Sequence, residues 1–223
     1  MTERKRVVDD TIGLTLFVHL NDFIDSSRIW GEASTVNLRV AFHQSLIQFF
    51  FIVTKKGLMN EITTKVEGNQ LIIKRENHDQ KREEVTVYLT LPKLVKVKIN
   101  SDVKLNCTNV LKSEALEVNV SGVLSGNLNL TASSLNIQSN GVLKLKATGS
   151  ANVLSLDMPG VGTADMLNFK VKKANVEING VGNALVNAEE YLDAEVNGVG
   201  KVNYKGQPQL KVKVSGIGRV KEI

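Results

Sequence analysis

The chain has 223 residues, 42% of them hydrophobic but only 5% aromatic, which permits a large aliphatic core and argues against base-stacking or sugar-stacking surfaces. Lys and Arg number 28 against 23 Asp and Glu, a formal net charge of +5, and so mild an excess reads as dispersed solvated charge, with no nucleic acid as partner, since that needs a basic stripe interleaved with aromatics. The single cysteine, Cys107, excludes an intrachain disulfide framework and a Cys-rich metal site.

In chain order, Met1 to Arg6 is charged and Asp9 and Asp10 follow it. Ile12 to Leu20 is too short and too weakly apolar to read as the core of a secretion signal. Up to about Thr54 no period is sustained, although Trp30, Phe17, Phe23, Phe42 and Phe49 all lie here. This segment, residues 1–54, reads as irregular or strand-rich, a candidate cap or an altered start. Leu46 to Val53 is the most apolar stretch, and Phe49 to Val53 has the bias of a buried strand. It falls well short of the roughly 20 residues that span a bilayer, so the chain shows no transmembrane segment.

From Glu61 the pattern clears. Ile62–Val66 and Gln70–Lys74 flank Glu67-Gly68-Asn69, which reads as a hairpin with a Gly-Asn turn. Arg75 to Glu84 is nearly all polar and reads as a solvated loop. Val85–Leu91 reads as a strand ended by Pro92, and Val95–Ile99 alternates strictly as another strand would.

A repeat then begins. Gly122, Gly141, Gly160, Gly180, Gly198 and Gly216 are spaced by 19, 19, 20, 18 and 18 residues. Each is preceded by a turn former (Ser121, Asn140, Pro159, Asn179, Asn197, Ser215) and followed by Val123, Val142, Val161, Val181, Val199 or Ile217. Gly162, Gly182, Gly200 and Gly218 add a second glycine to the last copies, and Ser101 stands in the glycine position of an earlier, degenerate one. Alternating strands turned at a glycine give one circuit per repeat, and each circuit buries its apolar face only against its neighbours. The expected fold is therefore all-β: a parallel solenoid with coils of about 18–20 residues, over residues 55–223, its repeats clear from about 97. Stacking places the Val/Ile residues after the glycines in one column, expected to form part of a continuous core. Helices are excluded by the period of two, and a Greek-key sandwich does not explain the recurring glycine and its aliphatic neighbour.

The Ser/Asn-Gly-Val/Ile-Gly units, the stretch Tyr204-Lys205-Gly206-Gln207-Pro208, and the final Ser215-Gly216-Ile217-Gly218 resemble the bacterial head GIN domain, a family of autotransporter-adhesin type. The resemblance covers roughly Asn60 to Ile223. It implies a right-handed parallel β-helix and an extracytoplasmic setting, periplasmic or at the cell surface, and it brings no catalytic residues. The leading signal and the opening strands usual in the family are not visible in the pattern before Thr54.

Candidate chemistry is sparse. The Gly-Val-Gly units lack the third glycine and the following helix of a nucleotide loop. His19, His43 and His78 lie outside the repeat without metal-ligand spacing. Cys107 sits in an alternating strand and reads as a half-buried, inert thiol. Asn106, Asn119 and Asn129 open glycosylation sequons that read as products of an Asn-rich strand pattern. Asp157, Asp165, Glu177, Asp193 and Glu195 are the carboxylates that adjacent coils could bring together for a cation or for acid–base work on a polysaccharide. Glu177 and Glu195 share a column with Asn119, Asp157 and Lys213, which reads as a solvated outer face. No catalytic, cofactor or metal residue is assigned. The expected function is a non-enzymatic surface module that presents a rigid face to a glycan or protein. A carbohydrate-active β-helix and a self-associating solenoid, a homo-oligomer, are the alternatives.

Overall fold

The computed structural model describes residues 14–21, 35–42, 49–53, 58–76, 85–91 and 93–223. The described chain is a parallel β-solenoid of about seven turns. Its antiparallel beginning comprises β1 (Leu14–Asn21), β2 (Thr35–Phe42), β3 (Phe49–Val53), β4 (Ile62–Glu67), β5 (Gln70–Glu76) and β6 (Val85–Leu91). The coils follow as β7 (Leu94–Ile99), β8 (Asp102–Cys107), β9 (Leu111–Val120), β10 (Val123–Ser139), β11 (Val142–Met158), β12 (Val161–Ile178), β13 (Val181–Val196), β14 (Val199–Lys205), β15 (Gln209–Val214) and β16 (Ile217–Glu222).

Within a coil the burial pattern shows why the strands are so long. In β11 the residues Leu143, Leu145 and Ala147 point inward, the alternation breaks at Thr148–Ser150, and it resumes with Leu154, Leu156 and Met158. Each coil therefore has two flat runs joined by a wide corner, and the next coil is entered through the tight glycine corner. We call the sheet of first runs face A and that of second runs face B. The alternating strands expected within one repeat are here one bent strand of 17 residues, Val142–Met158.

The tight corners are held by a repeated set of backbone hydrogen bonds. The amides of Asn140 and Gly141 both donate to the Val120 carbonyl, at 2.8 and 3.2 Å, and the Val142 amide donates to Gly122 at 2.9 Å. Stacked corners approach so closely that a Cβ on Gly180 would lie 1.9 Å from the Gly160 carbonyl oxygen. Close approach, and not a left-handed backbone, is what demands glycine there. The same logic places Ser101 beneath Gly122, where a Cβ would meet Ser101 backbone at 2.4 Å, so the degenerate first copy is a true rung of the stack.

Both faces continue into the antiparallel beginning. Face A runs from β8 to β1, β6 and β3; face B runs from β7 to β2, β5 and β4. Leu71 and Ile73 of β5, with Val85, Val87 and Leu89 of β6, carry the apolar interior across this end. The hairpin is as expected: β4 and β5 pair with Glu67 opposite Gln70, and Gly68 has φ of 58°. The expected loop from Arg75 is corrected. β5 extends through Glu76, and Arg75 is fully buried with its Nε donating to Glu61 Oε2 at 3.4 Å. A buried guanidinium that faces a carboxylate is tolerated where a lone one is not, and polarity alone misread it as solvated. The remainder of that predicted loop, residues 77–84, lies outside the described residues.

Candidate functional site: an exposed aliphatic ladder

The column after the tight corners is in perfect register: Val123, Val142, Val161, Val181, Val199 and Ile217 pair as successive neighbours through β10 to β16. Its direction corrects the expectation from sequence. The column faces solvent, with Val161 53% and Ile217 76% exposed. The core is lined instead by the next position and its alternates, Leu124, Leu143, Leu145, Ala164, Ala184 and Val202, all at 3% exposure or less. The physical reason is the pleat. Directly after the corner glycine the first residue of the run points out, so the second must point in.

The second-position residue also changes along the stack. Leu124 and Leu143 give way to Gly162, Gly182, Gly200 and Gly218. A Cβ at Gly182 would lie 3.1 Å from Met158 Cε, and one at Gly218 would lie 2.8 Å from Val196 Cγ1. Side chains of face B thus fill the interior that the missing leucines vacate. Outside, a shallow trough of about 630 Å³ runs across the strands of face A. Its walls are Val161, Val181, Val199 and Ile217 on one side and Thr163, Asn183, Lys201 and Arg219 on the other. Sequence reasoning found these valines but assigned them to the core. Their equal spacing carries no information about which way they point; their place directly after the corner glycine does.

Face A is also the basic face. The column beside the ladder reads Lys104, Ser125, Lys144, Thr163, Asn183, Lys201 and Arg219, and the next one carries Lys146 and Lys221. Three carboxylates stand on the described strands of this face: Asp102, Asp165 and, at the end of β16, Glu222. Asp102 stands beneath Val123, and burial pushes its carboxyl above the usual range. Asp165 Oδ1 accepts the Leu167 amide at 3.3 Å.

Face B carries the carboxylate ladder expected from the repeat. Asn119, Gln138, Asp157, Glu177, Glu195 and Lys213 stand in one column, and Glu117, Asn136, Ser155, Asn175, Asp193 and Lys211 stand in its neighbour. The ends are neutralised: Lys96 donates to Glu117 at 2.6 Å, Lys211 to Asp193 at 2.6 Å, and Lys213 to Glu195. The Lys213 and Asn197 hydrogen bonds hold Glu195 below the usual carboxylate range, and those of Lys96 and Asn119 do the same for Glu117. Glu177 Oε1 accepts Asn179 Nδ2 at 2.7 Å, and Asn179 Oδ1 accepts Asn197 Nδ2 at 2.9 Å, an amide ladder along the corner. Of the predicted carboxylates, Asp157, Glu177, Asp193 and Glu195 therefore share one face, while Asp165 stands on the opposite one. Among the described residues no group of three or more His, Cys, Asp or Glu is placed to hold a metal ion.

The Gly-Val-Gly units open no helix, and their amides are spent on the stack: Gly160 donates to Ser139 and Val161 to Gly141, each at 2.9 Å. Cys107 is half-buried at the end of β8, and burial pushes its thiol up despite a backbone hydrogen bond at Asn129. His19 lies on β1 opposite Thr86 and Lys104 in the backbone register. His43 and His78 lie outside the described residues. Among the described residues no helix is long and apolar enough to cross a membrane.

Residues 34–208 match the family described as "Putative auto-transporter adhesin, head GIN domain". No curated protein matches the chain in a sequence search. Among solved structures, a "putative adhesin" from Bacteroides fragilis is 26% identical with a TM-score of 0.70, covering 78% of this chain and 82% of its own. A "putative lipid binding protein" from Parabacteroides distasonis, 17% identical, has a TM-score of 0.60 over 86% of this chain and 97% of its own. A "putative adhesin" from the same species, 18% identical, has a TM-score of 0.57 over 86% of this chain and 98% of its own. The latter two likenesses concern the fold alone.

Proposed function

The chain belongs to the head GIN domain family of adhesin type, and from that premise we propose that it is a non-enzymatic, extracytoplasmic binding module whose working surface is face A of the solenoid. One observation carries the reading. Five aliphatic side chains on consecutive coils, Val142 to Ile217, are held open to solvent in a straight row beside a trough. A row of aliphatics at about 4.8 Å spacing is costly to leave wet, and contiguous apolar patches of this kind mark interaction sites. The stacked backbone makes the row rigid, so a partner pays little ordering cost in the protein on binding. Face B supports the contrast: its Lys96, Lys211 and Lys213 are already paired with carboxylates.

The test is a glycan and surface-protein array, probed with the wild-type chain and a Val161→Thr/Val181→Thr/Val199→Thr variant, with product analysis of any polysaccharide that binds. Binding without turnover, lost in the variant, is the expected result. Turnover centred on Asp157, Glu177 and Glu195 would replace this reading with a carbohydrate-active one.

A second reading has its own observation. Leu210, Val212 and Val214 occupy the inward positions of their coil, in register with the buried Leu192, Ala194 and Val196, yet they are 42–48% exposed. That coil is a candidate surface for self-association through edge strands.

A further inference from the structure

On the reading that face A is the binding surface, we infer that its partner is an anionic lipid surface, with the aliphatic ladder entering the interfacial layer and the adjoining cations meeting the headgroups.

Positive charge is largely satisfied on one face and unsatisfied on the other. On face B Lys96, Lys211 and Lys213 at the ladder ends each have a carboxylate partner at hydrogen-bond distance, and Lys98 alone of the cations there stands without one among the described residues. On face A the cations are Lys104, Lys144, Lys146, Lys201, Arg219 and Lys221, all exposed. Among the described residues none of them is engaged in an ion pair or a side-chain hydrogen bond. Against these six cations the described strands of that face carry three carboxylates, Asp102, Asp165 and Glu222, which leaves the face positive. Asp165 is turned to the Leu167 amide, and Asp102 lies at the foot of the stack with its charged form disfavoured by burial. An unpaired basic row calls for an anionic partner.

The ladder adds a second requirement. A polyanion alone, such as a sulfated glycan, satisfies the lysines and leaves Val142, Val161, Val181, Val199 and Ile217 wet. A neutral apolar partner covers the valines and strands the cations. Only a partner that is apolar and anionic side by side, in the same order as the two columns, satisfies both. A bilayer rich in anionic lipid presents this arrangement along its whole plane: acyl boundary beneath, negative headgroups above. The geometry suits a plane better than a single chain. The ladder is straight and extends about 19 Å over its five exposed rungs at the usual strand spacing, and its trough is shallow and open along its length. The ladder also adjoins the tight corner, at the rim of face A, so the aliphatic row reaches a flat surface first and the cations lie behind it.

The measurement is co-flotation of the 223-residue chain with vesicles of phosphatidylcholine, alone or with about 30% phosphatidylglycerol, at low and high salt. Binding is expected to the anionic vesicles and to weaken as salt screens the surface. A Lys144→Gln/Lys201→Gln variant should lose affinity by roughly 25-fold, taking about fivefold per cation near an anionic surface. A Lys211→Gln/Lys213→Gln variant removes the same net charge from face B and should change affinity by less than about twofold. The Val161→Thr/Val181→Thr/Val199→Thr variant, which keeps β-branched residues in the strands, should weaken binding by on the order of tenfold or more. Equal losses for the two lysine variants would mean that bulk charge alone is read, and would overturn the proposal. So would binding to sulfated polysaccharide with no flotation on anionic vesicles. If vesicles fail to bind but the valine variant still abolishes an array hit, the lipid assignment falls and face A stands. If the valine variant alters neither assay, both fall.

Discussion

At the residue scale, the tight-corner glycines are set by distance rather than by dihedral angle. A methyl group on Gly180 has no flexible side chain to displace, only the Gly160 carbonyl at 1.9 Å and the Pro159 carbonyl at 2.4 Å. Gly180→Ala should therefore cost about 3 kcal/mol or more, the upper range for overpacking. Gly68→Ala offers the contrast, because φ is +58° there but nothing lies within 4 Å of the added carbon. Its cost should be only the left-handed penalty of about 1–2 kcal/mol. Urea denaturation midpoints of the two variants decide the order. The carboxylates of face B make a pH prediction of definite sign. The Lys96 hydrogen bond lowers Glu117 from the ordinary value of 4.5. The stability it contributes is full above that value and is lost as pH falls through the lowered folded value. Lys96→Gln should thus be destabilising by under about 1 kcal/mol at neutral pH, and its difference from wild type should shrink toward pH 3 in the same denaturation assay.

At the element scale, the two positions following a corner have opposite roles although both are aliphatic. Leu143→Ala, from a fully enclosed site, should cost about 2–5 kcal/mol. Val142→Thr, one residue earlier and 43% exposed, should stay within about 0.5 kcal/mol. Thermal denaturation of the pair separates a core column from a displayed one. This is also the place where the sequence misleads. Period-two alternation and the glycine spacing are strong enough to announce the solenoid, the register and the columns. They do not say which column is inside, because hydrophobicity is the usual guide to the interior and here the displayed column is aliphatic throughout while its inward neighbour changes from Leu124 and Leu143 to glycine. The carboxylate column was legible because its polar residues alternate with an aliphatic column that takes the inward positions. Arg75 was not legible, because a charged residue in a charged run looks solvated until the hairpin brings up its partner, Glu61, from 14 positions away in the sequence. β1 and β2 pair antiparallel with β6, β8, β5 and β7. Their partners are distant in sequence, so no local repeat marks them.

At the scale of the whole molecule, the solenoid is a one-dimensional stack in which each coil's interior is covered by the next. The inward residues Leu210, Val212 and Val214 show what happens where cover is lacking: side chains that lie at or near zero exposure one coil earlier stand almost half open. The 223-residue chain should accordingly gain mass with concentration in light scattering. Val212→Lys, which puts a charge on that uncovered position, should hold it to a single concentration-independent mass. A constant mass for the wild type would remove the self-association reading.

The coils are not all the same length, and the structure confines the difference to one place. Opposite β13, the β12 strand accommodates Leu167, Asn168 and Phe169 between Met166 and Lys170 as a bulge, and registers with β13 again from Lys173. Phe169 turns into the core, and Asn187 Nδ2 donates to the Leu167 carbonyl at 3.1 Å to secure the detour. The stretches that form the two faces, Val161–Asp165 and Ala174–Ile178, remain rung for rung with their neighbours. The wide corner therefore acts as an expansion joint. Extra chain can be let in after Asn168 and displayed along that rim as a tassel, while the spacing of both faces is left as it was.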